Sequence, residues 1–93
     1  MSSRFLVLYA FPREEETGPA RLGIAVPKQV GNAVTRNRIK RRLREGWHAV
    51  AADVPAGRDY VLIVRPGLPD AADARGFEWL RERLSEVVQK TAA

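Results

Sequence analysis

RLGIAVPKQVGNAVTRNRIKRRLRE, residues 21–45, changes character halfway along. RLGIAV, 21–26, reads as an apolar strand closed by Pro27. KQVGN follows as a loop. Asn32 or Thr35 is then placed to cap a helix by accepting backbone N–H bonds. Ile39, Leu43, Trp47 and Val50 recur at spacings of four, four and three, which makes one apolar stripe on a helix of about four turns. Asn37, Lys40, Arg41 and Arg44 fall on one flank of that stripe, and Arg38 and Arg42 on the far side. The helix therefore docks by its stripe and turns a basic surface outward. Repulsion at i,i+4 between Lys40 and Arg44, and between Arg38 and Arg42, costs on the order of a few tenths of a kcal/mol each.

That basic surface accounts for the whole charge of the chain. The 93 residues carry 16 basic and 11 acidic side chains, a net charge of +5. Residues 36–45 hold six of the basic side chains and one acidic residue, Glu45, so the remainder is neutral. Charge concentrated at one site calls for a polyanionic partner. About six cations meeting phosphate would give log affinity against log salt a slope of about −4 to −5.

Working outward, RFLVLYAF, 4–11, reads as a first apolar strand, ended by Pro12 and the acidic segment REEETGP, 13–19. A hairpin between 4–11 and 21–26 is the simplest pairing. DVPAGRD, 53–59, reads as a turn, and YVLIVR, 60–65, as a strand from a sheet interior. PGLPDAADARG reads as a further break, with 68–76 as a loop of no evident role. Residues 77–91 form a last helix with Phe77, Leu80, Leu84, Val87 and Val88 on one face and Trp79 turned away from it, toward a sheet edge or a partner. The order strand, strand, helix, strand, helix predicts a single α+β domain over 1–93, an α/β sandwich with a three-stranded sheet. A domain of this length buries only about 60–65% of its unfolded surface.

The chain has no cysteine, which excludes disulfides and thiolate metal sites and fits a reducing cytoplasm. FLVLYAF is too short to span a bilayer and lacks a cleavage site, so no membrane role is expected. A protein nuclease needs metal-holding carboxylates or a histidine acting as acid and base. The one histidine, His48, lies on the polar side of the basic helix, and the acidic residues 14–16 have no ligand partner in view. Catalytic residues and metal ligands are therefore expected to be none.

RLGIAVPKQVGNAVTRNRIKRRLRE closely resembles the signature of the bacterial ribonuclease P protein subunit: a strand, a loop lysine, Gly-Asn-Ala-Val, Arg-Asn-Arg, Lys-Arg and Arg-Glu in that order. RFLVLYA and DYVLIVRPG fall where that family has strands, so the resemblance covers residues 4 to about 90. It implies a fold like domain 2 of ribosomal protein S5, with a basic helix in an unusually left-handed strand-helix-strand crossover and a C-terminal helix. General principle alone would favour the right-handed form. Two departures stand out. The family begins with a helix that covers part of the sheet and supplies aromatic residues to its cleft. Here Met1 stands three residues before RFLVLYA, so an uncovered apolar sheet face, and self-association through it, are expected. Gln29 also stands where a second basic residue is common, which weakens one phosphate contact.

The resemblance implies the protein subunit of ribonuclease P, partnered by a catalytic RNA and by precursor tRNA. In that enzyme the RNA, with Mg²⁺, removes the 5′ leader, and no cofactor is bound by the protein chain alone. Arg36, Asn37, Arg38, Lys40, Arg41, Arg44 and Asn32 are the expected contacts to the RNA subunit. Arginine forks suit phosphate, and Asn37 suits a base edge or a 2′-hydroxyl. Tyr9, Phe11, Lys28 and Arg65 are the expected contacts to the leader, through base stacking flanked by charge. Core packing is the competing reading for Tyr9 and Phe11. Trp47 is expected in the core and His48 on the surface. Gly31 serves either a backbone approach to phosphate or a plain turn. The alternative function is a general structured-RNA-binding module without a role in tRNA maturation. A membrane-binding amphipathic helix is disfavoured because the domain core claims its stripe.

Overall fold

The apolar run at 60–64 decides the sheet, because a strand with apolar residues on both faces belongs in the middle of it. In the computed structural model, which describes residues 4–12, 21–50 and 57–92, that run lies in β3 (Arg58–Val64), between β1 (Leu6–Pro12) and β2 (Arg21–Ala25). β1 pairs antiparallel with β3, and β2 pairs parallel with it. The expected hairpin between the first two strands is therefore not formed. Each of them is an edge strand flanked by a residue that suits an edge, Pro12 on one and Pro27 just beyond the other. A parallel pair needs a long crossover. A 3₁₀ turn at Lys28–Val30 and α1 (Ala33–Val50) supply most of it. The acidic segment 14–16 and most of the 53–59 turn lie outside the described residues.

Register separates the two faces of the sheet. Leu6 stands opposite Val64, Leu8 opposite Leu62, and Ala10 opposite Tyr60, and these side chains point to the helices. Ile39, Leu43, Trp47 and Val50 of α1 complete the core from below, as the stripe predicted, and all are buried. Leu80, Leu84, Val87 and Val88 do the same from α3 (Phe77–Ala92). Phe77 does not join them and is 40% exposed. A helical side chain leans back over the preceding turn, and the first residue of a helix has none.

The helices approach closely at Gly46. An added Cβ there would lie 2.5 Å from Leu84 Cδ1. The stretch 68–75, expected to be a loop, is instead a helix, α2 (Leu68–Arg75). Its Pro and Gly residues mark its ends rather than a break. Pro69 lies in the first turn, where no N–H partner is needed, and Asp70 complements the helix dipole there. Gly76, at φ +88, closes the helix with a positive φ that favours glycine, and its N–H bonds to the Ala72 carbonyl at 2.8 Å. Leu68, Pro69 and Ala72 are buried and seat α2 on the domain. Trp79 meets the sheet edge, with its ring 5.4 Å from that of Phe5 in an edge-on contact and the guanidinium groups of Arg75 and Arg83 at 5.8 and 5.6 Å. The fold is thus α+β, three helices with a small mixed three-stranded sheet.

Candidate RNA interface

The basic helix is started by a side chain, as its sequence foretold. Asn32 Oδ1 accepts the Thr35 backbone N–H at 2.9 Å, and the Asn32 carbonyl accepts the Arg36 N–H at 2.9 Å. Of the two candidate caps it is Asn32 that acts. Gly31 has an extended backbone, so it is not a conformational requirement. A Cβ there would lie 3.0 Å from Thr35 Cγ2, a tight contact that the Thr35 side chain would have to yield to by a few tenths of an ångström. Asn32 is therefore occupied in building the helix that carries the charge.

With the stripe buried, Asn37, Arg41 and Arg44 are exposed and Lys40 is half-buried beside them. Among the described residues none of Lys40, Arg41 and Arg44 pairs with a carboxylate. Arg36 lies nearer the core, and its Nε is enclosed without a hydrogen-bond partner. Arg38 and Arg42 point the other way, toward α2. Asp73 Oδ1 accepts from Arg42 Nη1 at 2.7 Å, and Asp73 Oδ2 lies 3.8 Å from Arg38 Nη1. Sequence spacing offers Arg38 no acidic partner at helical distance and offers Arg42 only Glu45, at i,i+3, yet the carboxylate that both arginines face is that of Asp73. Asp73 lies 31 residues from Arg42, and no local signal announces it. His48 is exposed and Trp47 is buried, as expected.

The second group of predicted residues occupies the sheet face away from the helices. Tyr9 and Phe11 are 48% and 50% exposed, which rules out simple core packing for both. Strand alternation sets Val7, Val61 and Ile63 on the same face. Tyr9 stands opposite Val61, and Val61 in turn opposite Gly23, so the aromatic side of the platform is β1 and the small-residue side is β2. Lys28 and Arg65 are exposed. They follow the ends of parallel strands β2 and β3, so both lie at one end of the platform, while Phe11 lies at the other. Near Phe11, Arg21 forks onto Asp59, with Nε donating to Oδ1 at 2.8 Å and Nη2 to Oδ2 at 3.1 Å. This hydrogen bond first, and the carboxylate charge second, hold the Arg21 guanidinium above its ordinary pKa. The pair was not foreseen, because it depends on the β2–β3 register. Among the described residues no three or more His, Cys, Asp or Glu side chains gather to hold a metal ion. None of the described helices is long and apolar enough to cross a membrane.

A family described as Ribonuclease P matches residues 1–92. The ribonuclease P protein component of Shouchella clausii is 40% identical over 90 residues, 97% of this chain and 70% of that protein. That of Brevibacillus brevis is 37% identical over 89 residues, 96% of this chain and 67% of that protein. The RNase P protein of Thermotoga maritima shares the fold with a TM-score of 0.83 at 29% identity, covering 97% of this chain and 80% of that one. The protein from Staphylococcus aureus does so with a TM-score of 0.80 at 31% identity, covering 98% and 78%.

Proposed function

Because the chain belongs to the ribonuclease P protein family, we propose that it serves tRNA 5′ processing as the protein component of the ribonuclease P enzyme complex. Its role is to bind and position RNA, in the cytoplasm where precursor tRNA is made. The observation that carries this reading is α1: a helix capped by Asn32, locked by its buried stripe, and presenting Asn37, Lys40, Arg41 and Arg44 from a rigid base. Rigid presentation lowers the ordering cost of each phosphate contact. Arg41 and Arg44 offer planar forks to phosphate oxygens, and Arg38 and Arg36 extend the set toward the helix start. Asn37 supplies a donor and an acceptor for a base edge or a 2′-hydroxyl.

The outer sheet face takes the single-stranded 5′ leader of precursor tRNA. Tyr9 and Phe11 offer rings on which bases of any sequence can stack, and Lys28 and Arg65 set charge at one end of the track. In the absence of RNA this is also the face through which copies of the chain would associate. Hydrolysis belongs to the RNA partner. In this reading Mg²⁺ is held by that RNA. The chain's own residues hold the partner RNA and the leader in fixed relation.

Reconstitution tests the proposal. The protein is added to the ribonuclease P catalytic RNA at low Mg²⁺, and cleavage of a precursor tRNA is followed. Stimulation of leader removal is expected. Inertness in that assay, with RNA binding retained, would instead favour a general structured-RNA module. Cleavage by the protein without RNA would overturn the division of labour.

A further inference from the structure

Arg38 and Arg42 are one turn apart on α1, and the carboxylate that answers their repulsion comes from outside the helix. α2 is seated by buried Leu68, Pro69 and Ala72, and it places Asp73 across from both guanidinium groups. The contact to Arg42, 2.7 Å, is a hydrogen bond, and the 3.8 Å approach to Arg38 is not. The Arg38 side chain remains 58% exposed while that of Arg42 is 35% exposed. A carboxylate and a phosphodiester compete for the same planar fork.

Resting on the reading of α1 as the RNA-binding face, we propose that Asp73 is a positioning residue that sets the boundary of that face. Its carboxylate occupies the Arg42 guanidinium in place of an RNA phosphate. Its charge also repels a backbone approaching from the α2 side. Of the six cations between Arg36 and Arg44, five are then left for RNA. The slope of log affinity against log salt is smaller in size by about 0.7 to 0.9 than six contacts would give. RNA is thereby steered to the surface of Asn37, Arg41 and Arg44, so a carboxylate outside the contact set selects which RNA geometry docks.

The test is binding of the ribonuclease P catalytic RNA across a salt series by the full chain and three variants. Asp73→Asn is expected to bind tighter at low salt, with a slope steeper by about 0.7 to 0.9. Arg42→Ala alone is expected to keep the wild-type slope, and Asp73→Asn with Arg42→Ala to return to it. A merely structural tie between α1 and α2 would alter thermal stability and leave every slope unchanged, and that result would overturn the proposal. So would a shallower slope for Asp73→Asn or for Arg42→Ala. Arg41→Ala with Arg44→Ala, measured alongside, separates the two levels. If that variant leaves the slope unaltered, the α1 reading itself fails. If it flattens the slope and Asp73→Asn does not move it, only the boundary role falls. Far-UV circular dichroism on each variant confirms that the comparison is among folded proteins.

Discussion

Replacing Gly46 with alanine adds one carbon where α1 and α3 meet. That carbon would sit 2.5 Å from Leu84 Cδ1, and ordinary contact begins near 3.4 Å, so about 1 Å must be found. Leu84 is fully buried and cannot swing into solvent. Overpacking of this kind costs about 1–3 kcal/mol. Alanine in a helix interior returns about 1 kcal/mol relative to glycine. The net expectation is a loss of about 1 kcal/mol, which for a domain of this size lowers Tm by about 4–8 °C. Leu84→Val removes the δ carbons and by itself costs about 1 kcal/mol for the lost packing. In that background the obstruction is gone and only the propensity gain is left, so Gly46→Ala should become stabilising by about 1 kcal/mol. Urea unfolding of the wild type, both single variants and the double variant measures the cycle. An equal effect of Gly46→Ala in both backgrounds would show that the Leu84 contact does not govern this position, and the account of the α1–α3 approach would be refuted.

Three further expectations follow from the geometry. Arg41→Ala with Arg44→Ala should flatten the salt dependence of RNA binding by about 1.4 to 1.8 in slope, read by filter binding across a salt series. Tyr9→Ala should weaken binding of precursor tRNA with a long leader by about 1–3 kcal/mol and leave binding of leaderless tRNA unchanged, so an equal loss on both would remove Tyr9 from the leader track. Burial raises the Tyr60 phenol above its ordinary value of 10.0, with Arg58 acting in the opposite direction. The folded state thus holds that proton more tightly than the unfolded chain. The contribution is full below about pH 10 and is lost as pH rises through the elevated value. Urea midpoints between pH 8 and 11 should fall more steeply for the wild type than for Tyr60→Phe.

The structure also explains how the predicted surface divides. The residues proposed for the leader and those proposed for the RNA subunit fall on different layers, the first group on or beside the outer sheet face and the second on a helix beneath the inner face. The two can therefore engage different RNA segments at once without sharing a side chain. Lys28, in the turn between β2 and α1, is the predicted residue closest in sequence to both.

What the amino-acid string determined by itself is local. Asn32 caps α1 because its side chain reaches an N–H three residues on, and Ile39, Leu43, Trp47 and Val50 are buried because a helix repeats every 3.6 residues. Those interactions span one turn and are legible without a partner. Tyr9 and Phe11 could be placed on one face by strand alternation, yet whether that face is covered was a question of docking. Strand order, the helix at 68–75 and the Asp73 pairing were decided only in three dimensions. The apolar run of β3 already pointed to the centre of the sheet, but that β1 and β2 both pair with it rather than with each other is set by docking. Pro and Gly read as breakers until buried Leu68 and Ala72 show a helix between them. Arg42 meets a carboxylate 31 residues away because of where α2 is seated, and no periodicity within α1 carries that information. Charge is inscribed locally, whereas the direction in which it can be used depends on what packs beside it.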